Sequence, residues 1–295
     1  MSKLLYVIIV VFCVISCQKK EESVEFSFGI IADCQYCDCD IKWDRYFRKS
    51  PQRLSDAVNE LNQHDLDFTI HLGDFIDKDF KSFDSILPTW KNLNSDRYHV
   101  LGNHDFDVAD SLKSKIPYKL KLKNRYYSFN KHNWKFIVLD GTDLSTYAPS
   151  KNNQQASQQL LAKKEKNSLP YAMFYNGALS KEQMSWVKIQ LEEAKSQNQN
   201  VGFFCHFPVQ PIDNHNLWNT EEFLELIAPY ENIKFYMNGH NHAGAYATLN
   251  NVHHVTFKGM VDTKDTTAFA IATITNDSLF ISGFGREPNK SLKLK

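Results

Sequence analysis

Five short runs of apolar, β-branched and aromatic residues recur along the chain, and each reaches a cluster of polar side chains. VEFSFGIIADCQ ends in Asp33 and Gln35, LDFTIHLGD in Asp74, and YHVLGNHD in Asn103 and His104. NVGFFCHFP carries His206, and IKFYMNGHNH carries His240 and His242. Runs this short and this rich in Phe, Ile and Val predict buried strands rather than helices. Helical spacing appears between them. Ser50, with Pro51 at the first position, caps a helix carrying Leu54, Ala57, Val58 and Leu61. Ser180 and Gln183 form a capping box ahead of Met184, Trp186, Val187 and Leu191, and Thr220–Tyr230 is a third helix. AGAYATLNNVHHVTFKG and AFAIATITNDSLFISGFG predict hairpins turning at Asn250-Asn251 and Asn276-Asp277. The polar patch Asn152–Ser168 reads as a loop with one exposed helix. The expectation is one α/β domain over residues 24–288, with sheet layers between helices and a short tail at 289–295. Polar residues gather at its strand ends, where such folds bind ligands.

The first residues break this pattern. Lys3 precedes an apolar run from Leu4 to Ile15, followed by Ser16-Cys17 and the polar stretch Gln18–Ser23. About a dozen apolar residues are too few to span a bilayer comfortably and match the core of a secretory signal. The sequence VISC resembles a bacterial lipobox. That resemblance implies a leader over residues 1–16, a lipidated Cys17, a tether over 17–23, and an extracytoplasmic protein held to a membrane by acyl chains. A plain signal peptide or an uncleaved anchor is the alternative. Composition narrows the partners further: 34 basic residues balance 34 acidic ones. A polyanion-binding surface is not indicated, and nucleic acid is not the expected partner.

Taken singly, each strand ending has a bland explanation, since turns favour Gly, Asn and Asp. Taken together, the order Asp33-x-Gln35, Gly73-Asp74-x-x-Asp77, Gly102-Asn103-His104-Asp105, His206 and Gly239-His240-x-His242 resembles the calcineurin-like metallophosphoesterase superfamily. The resemblance implies an α+β four-layer sandwich of two mixed sheets flanked by helices, with a dinuclear metal site at the strand ends. It also implies that Asp74 bridges two ions. Asp33, Gln35 and His242 would complete one site, and Asn103, His206 and His240 the other. The physical logic is that an anionic phosphate repels hydroxide, while two divalent ions about 4 Å apart offset that charge and activate a water. Mixed oxygen and imidazole donors suit Mn²⁺, with Fe or Zn as alternatives. His104 would assist the leaving oxygen, and Asp77 would hold its imidazole.

Gln35 stands where most members carry His. Together with LDGTDLS, NGALSKEQMSWV, NGHNHAGAY and VHHVTFKGMV, it resembles the manganese-dependent ADP-ribose/CDP-alcohol diphosphatase family. That implies hydrolysis of nucleoside diphosphate derivatives to a nucleoside monophosphate and a phosphate ester. A phosphomonoesterase or phosphodiesterase of the same superfamily is the alternative. A scaffold that has lost its metals should have lost ligands, and all seven are present.

The cysteines then take second place. A zinc site would want a second cysteine pair beside Cys34, Cys37 and Cys39, and only Cys205 remains in the domain. Strand alternation turns Asp33 and Gln35 toward the metals and Cys34 into the packing, leaving Cys37 and Cys39 as loop thiols that oxidation could join. Asp79, Asp84 and Asp105 read as loop or cap residues, His71 as a satisfied core group, and His253-His254 as structural. Trp43, Tyr46 and Arg48 fit either a nucleotide-facing patch or an ordinary surface.

Overall fold

The computed structural model describes residues 26–148 and 153–295. The leader, Cys17 and the whole tether lie outside the described residues. In chain order the strands are β1 (Phe26–Ile31), β2 (Phe68–His71), β3 (Asp96–His99), β4 (Tyr127–Lys131), β5 (Trp134–Val138), β6 (Leu144–Ser145) and β7 (Gly177–Ala178). They continue with β8 (Asn200–Phe204), β9 (Ile233–Asn238), β10 (Ala245–Leu249), β11 (Val252–Thr256), β12 (Ala268–Ile274), β13 (Ser278–Gly285) and β14 (Lys290–Lys293). Two six-stranded mixed sheets result, ordered β14-β13-β12-β1-β2-β3 and β10-β11-β9-β8-β5-β4. β6 and β7 form a separate small pair. β14 lies beyond residue 288, so the first sheet takes in most of the segment the sequence reading treats as a tail.

The helices that cover the sheets are α1 (Ser50–Leu61), α2 (Ser82–Trp90), α3 (Asp110–Lys113), α4 (Ile116–Lys119), α5 (Gln154–Lys166), α6 (Lys181–Ser196) and α7 (Thr220–Ile227). An aromatic core fills the space between the sheets, with Phe28 stacked on Phe68 at 4.6 Å and both near Phe136 and Phe204. The outer face of the first sheet packs on α1 and α2 through Leu54, Val58, Phe83 and Ile86. The outer face of the second packs on α6 and α7 through Val187, Leu191 and Phe223. The layers are therefore helix, sheet, sheet, helix, as the resemblance implies.

Two capping expectations are corrected. A short 3₁₀ turn, Phe47–Lys49, already precedes α1, so Ser50 lies inside the helix and its hydroxyl donates to the Cys34 carbonyl at 2.5 Å. At α6 only half of the capping box forms. Ser180 Oγ accepts from the Gln183 amide at 3.1 Å, but the Gln183 side chain brackets the backbone of Asp140 instead. The β10–β11 turn behaves as read, with Asn250 and Asn251 both at positive φ (51° and 62°), the signature of a tight hairpin.

In each sheet a parallel run, β1-β2-β3 and β11-β9-β8-β5, sends its carboxyl ends to the same side. The predicted site residues follow those ends.

Candidate metal centre

Asp33 and Gln35 follow β1, Asp74 follows β2 and Asn103 follows β3. His206 follows β8, and His240 and His242 follow β9. The oxygen donors thus hang from one sheet and the imidazoles from the other. Their aim does not come from strand alternation, because β1 ends at Ile31. Backbone kinks turn them instead: Asp33, Gln35, Asp74 and His240 sit at φ 51°, 43°, 58° and 67°. Non-glycine residues held there cost roughly 1–3 kcal/mol each and persist only where their surroundings over-determine them.

Those surroundings are specific. Gln35 N donates to the Asp74 carbonyl at 2.8 Å, and His240 N donates to the Asp33 carboxylate at 3.2 Å. Asp105 holds the neighbouring loop, its carboxylate accepting from the amides of Asp74, Phe75, Ile76 and Gly102 at 3.2, 2.8, 3.3 and 2.9 Å. It is a loop-holding residue, as expected, although a fully buried one. Burial and the Asp74 charge push its carboxyl up to about 7. Gly73, at φ 97°, leaves no room for a side chain, since a Cβ there would lie 2.5 Å from His206 Nδ1.

All seven expected ligands come together. Asp74 is buried at the centre: Oδ2 lies 3.2 Å from His206 Nε2 and 2.9 Å from Gln35 Nε2, and Oδ1 accepts from the His104 amide at 2.8 Å. Donor atoms of Asp74, His206 and His240 lie within 4.8 Å of one another. His206 Nε2 is 3.2 Å from Asn103 Oδ1, and His242 Nε2 is 3.4 Å from Asp33 Oδ1. Burial alone would raise the Asp74 carboxyl, but His206 and His104 outweigh it and hold it well below the usual carboxylate range. Burial opposes the charging of His206 and His242 as well, yet Asp74 and Asp33 lift them to about 9.

One atom tests whether this set fits a metal. Gln35 Oε1 is buried without a partner, while Nε2 sits between Asp74 and His242, 3.3 Å from His242 Nε2. Turning the amide end for end puts its oxygen in that position, beside the Asp74 carboxylate and the His242 imidazole, where it can serve as a donor to an ion. Two carboxylates, two amides and three imidazoles suit a borderline divalent ion.

His104 stands at the edge, a quarter exposed. Its Nδ1 bonds the Asp77 carbonyl at 3.2 Å, and Asp77 Oδ1 lies alongside at 3.1 Å as a counter-charge. Burial would lower this imidazole, but Asp74 and Asp77 together raise it.

Cys34 packs against the α1 side of the sheet, and Cys37 and Cys39 are joined as a disulfide, leaving no thiolate for zinc beside Asp77. His71 is only half satisfied: Nδ1 accepts from Gly73 at 3.3 Å while Nε2 has no partner. His253 bonds Tyr246 and the Lys293 carbonyl, a structural role. Arg48 is tied to Asp38 and Asp40, whereas Trp43 is exposed under Lys42 and Arg45. Sequence reasoning missed Asn176 and Asp262, which touch His240 and His242 from behind at 2.9 Å each.

Comparison with known proteins agrees with this geometry. The pattern described as calcineurin-like phosphoesterase matches residues 26–244. A rice (Oryza sativa subsp. japonica) protein named manganese-dependent ADP-ribose/CDP-alcohol diphosphatase is 29% identical, over 88% of this chain and 91% of its own. The Homo sapiens protein of the same name is 26% identical, over 92% and 93%. A dimetal phosphatase structure from Danio rerio superposes with a TM-score of 0.83 at 26% identity, covering 92% of this chain and 99% of that one.

Proposed function

The chain belongs to the calcineurin-like phosphoesterase family, and from that premise we propose that it hydrolyses the diphosphate bond of nucleoside diphosphate derivatives of the ADP-ribose and CDP-alcohol type. The products are a nucleoside monophosphate and a phosphate ester. The observation that carries this reading is the complete donor set at one mouth, in a chain similar nearly end to end to proteins named for that activity.

Asp33, Gln35 and His242 would hold one ion and Asn103, His206 and His240 the other, with Asp74 shared. When bound, two divalent ions, Mn²⁺ first among them, supply positive charge to the phosphoryl oxygens and activate a water. The chain's own residues do the rest. Asp33 and Asp74 supply two negative charges against four positive ones, leaving a surplus that a diphosphate can meet. His104, oriented by Asp77 through Nδ1, directs Nε2 outward and delivers a proton to the departing phosphate oxygen.

The test is kcat/KM with Mn²⁺ for ADP-ribose, CDP-choline, AMP and a nitrophenyl phosphodiester. Preference for the first two, abolished by chelation, is expected. Preference for AMP favours a phosphomonoesterase.

The protein also works outside the cytoplasm in this proposal, anchored through acyl chains on Cys17, where a role in nucleotide scavenging follows. Support comes from the apolar leader and from the Cys37–Cys39 disulfide, which persists in oxidising compartments. Among the described residues no helix is long and apolar enough to cross a membrane. Cys17→Ala should move the protein from the membrane to the soluble fraction. Absence of labelled lipid on the wild-type chain would refute the anchor.

A further inference from the structure

Each imidazole at the mouth has a nitrogen turned away from it, and the three partners of those nitrogens differ. His206 Nδ1 donates to the Leu72 carbonyl at 2.9 Å. His240 Nε2 meets Asn176 Oδ1 at 2.9 Å, and His242 Nδ1 meets Asp262 Oδ1 at 2.9 Å. The Asn176 amide has a fixed direction because its Nδ2 donates to the carbonyls of Tyr171 and Asn214 at 3.0 and 2.9 Å. Its oxygen therefore faces His240, which must carry its proton on Nε2 and leave Nδ1 bare. Asp262 engages His242 Nδ1 in the same way, so that Nε2 is the nitrogen facing Asp33 and Gln35. Asp262 is itself held in place, with the Arg286 guanidinium 3.9 Å from Oδ2 and Arg53 donating to its backbone carbonyl at 3.2 Å.

Two of the three partners are neutral; only Asp262 carries a charge. It stands behind the single imidazole of the half-site in which Gln35 offers an amide. A carboxylate bonded to one imidazole nitrogen strengthens the other as a donor. We propose that Asp262 is a positioning residue that compensates for Gln35. Its charge, passed through His242, restores the donor strength that an amide in place of an imidazole withholds. This rests on the two-metal reading above and extends it to residues behind the ligands.

The test is Mn²⁺ titration of the metal-stripped mature protein by calorimetry, with bound ions counted by electron paramagnetic resonance. Wild type should take up two ions. Asp262→Asn, which retains an oxygen for His242 Nδ1 but loses the charge, should weaken one binding step about tenfold and leave the other unchanged. Asp262→Glu should titrate like wild type, and thermal unfolding of the stripped proteins identifies any variant that misfolds. The decisive protein is Gln35→His/Asp262→Asn, whose affected step should recover most of the loss. A purely structural role for Asp262 makes no such prediction. If wild type binds two ions and Asp262→Asn titrates identically, or if the double variant shows no recovery, the compensation is overturned. If wild type itself binds fewer than two, the two-metal reading falls and takes this inference with it.

Discussion

Buried histidines occur in two regions of this protein, and they behave in opposite ways. At the strand ends, His206, His240 and His242 each have one nitrogen engaged by a fixed acceptor and stand among Asp33 and Asp74. Within the strands, His71, His99 and His254 are packed among Phe75, Trp90 and Tyr236, and each has at least one nitrogen with no partner. Burial lowers His99 to about 3, with Arg97 adding to the effect, and lowers His254 to about 4 with help from His253. At the strand ends the carboxylates reverse this for His206 and His242, whereas burial and the neighbouring His206 keep His240 neutral. The imidazole is the same; the groups facing it decide whether it is drawn into a polar cluster or left as neutral packing.

The largest test of that contrast removes the carboxylate the strand-end residues share. Asp74→Asn should abolish Mn²⁺ binding and hydrolysis together, read by metal content and by ADP-ribose turnover. Substantial activity with bound metal would mean that Asp74 is not the shared ligand. Next comes His104→Ala, expected to slow ADP-ribose and CDP-choline by ~10²–10⁴-fold, the usual worth of a general acid. A nitrophenyl ester, whose leaving group departs unprotonated, should lose less. Equal losses would reassign His104 to holding the phosphoryl group.

His99→Phe addresses the interior. A folded-state value near 3 lies below the ordinary ~6.5 of an unfolded histidine, so at neutral pH both states are uncharged and stability is complete. As pH falls from about 6.5 toward 3 the unfolded chain binds a proton that the folded one refuses, and stability drains away. Phenylalanine removes that loss, so the acid-unfolding midpoint by circular dichroism should move to lower pH with activity retained at neutrality. The smallest effect belongs to His253→Ala, which loses bonds to Tyr246 and Lys293 and should cost about 1 kcal/mol in thermal unfolding without changing turnover.

The strands and the ligand clusters were legible because burial on both faces leaves a continuous apolar run, and chemistry interrupts it abruptly. Asp262 was not, since it lies 20 residues beyond His242 in a polar stretch that reads as a turn, and only the folded loop brings it behind the imidazole. Asn176 sits in a recognisable segment, but its role depends on two carbonyls, Tyr171 and Asn214, that fix its amide. Strand alternation was the wrong basis for aiming Asp33 and Gln35. Alternation requires extended backbone, and both residues lie past the strand in left-handed kinks that nothing in their side chains announces.

The division of donors between the sheets makes metal uptake a late step in maturation. The oxygen donors emerge early in the chain, by Asn103, and the last imidazole only at His242. β12, which pairs with β1 and completes the centre of the first sheet, comes later still. Neither sheet alone presents the mixed donor set, so tight binding waits until the two have docked. An ion at a hundred times its dissociation constant then adds about 2.7 kcal/mol in favour of the docked state. The ion then works as a clasp, fastening together two halves whose contributions lie far apart along the chain.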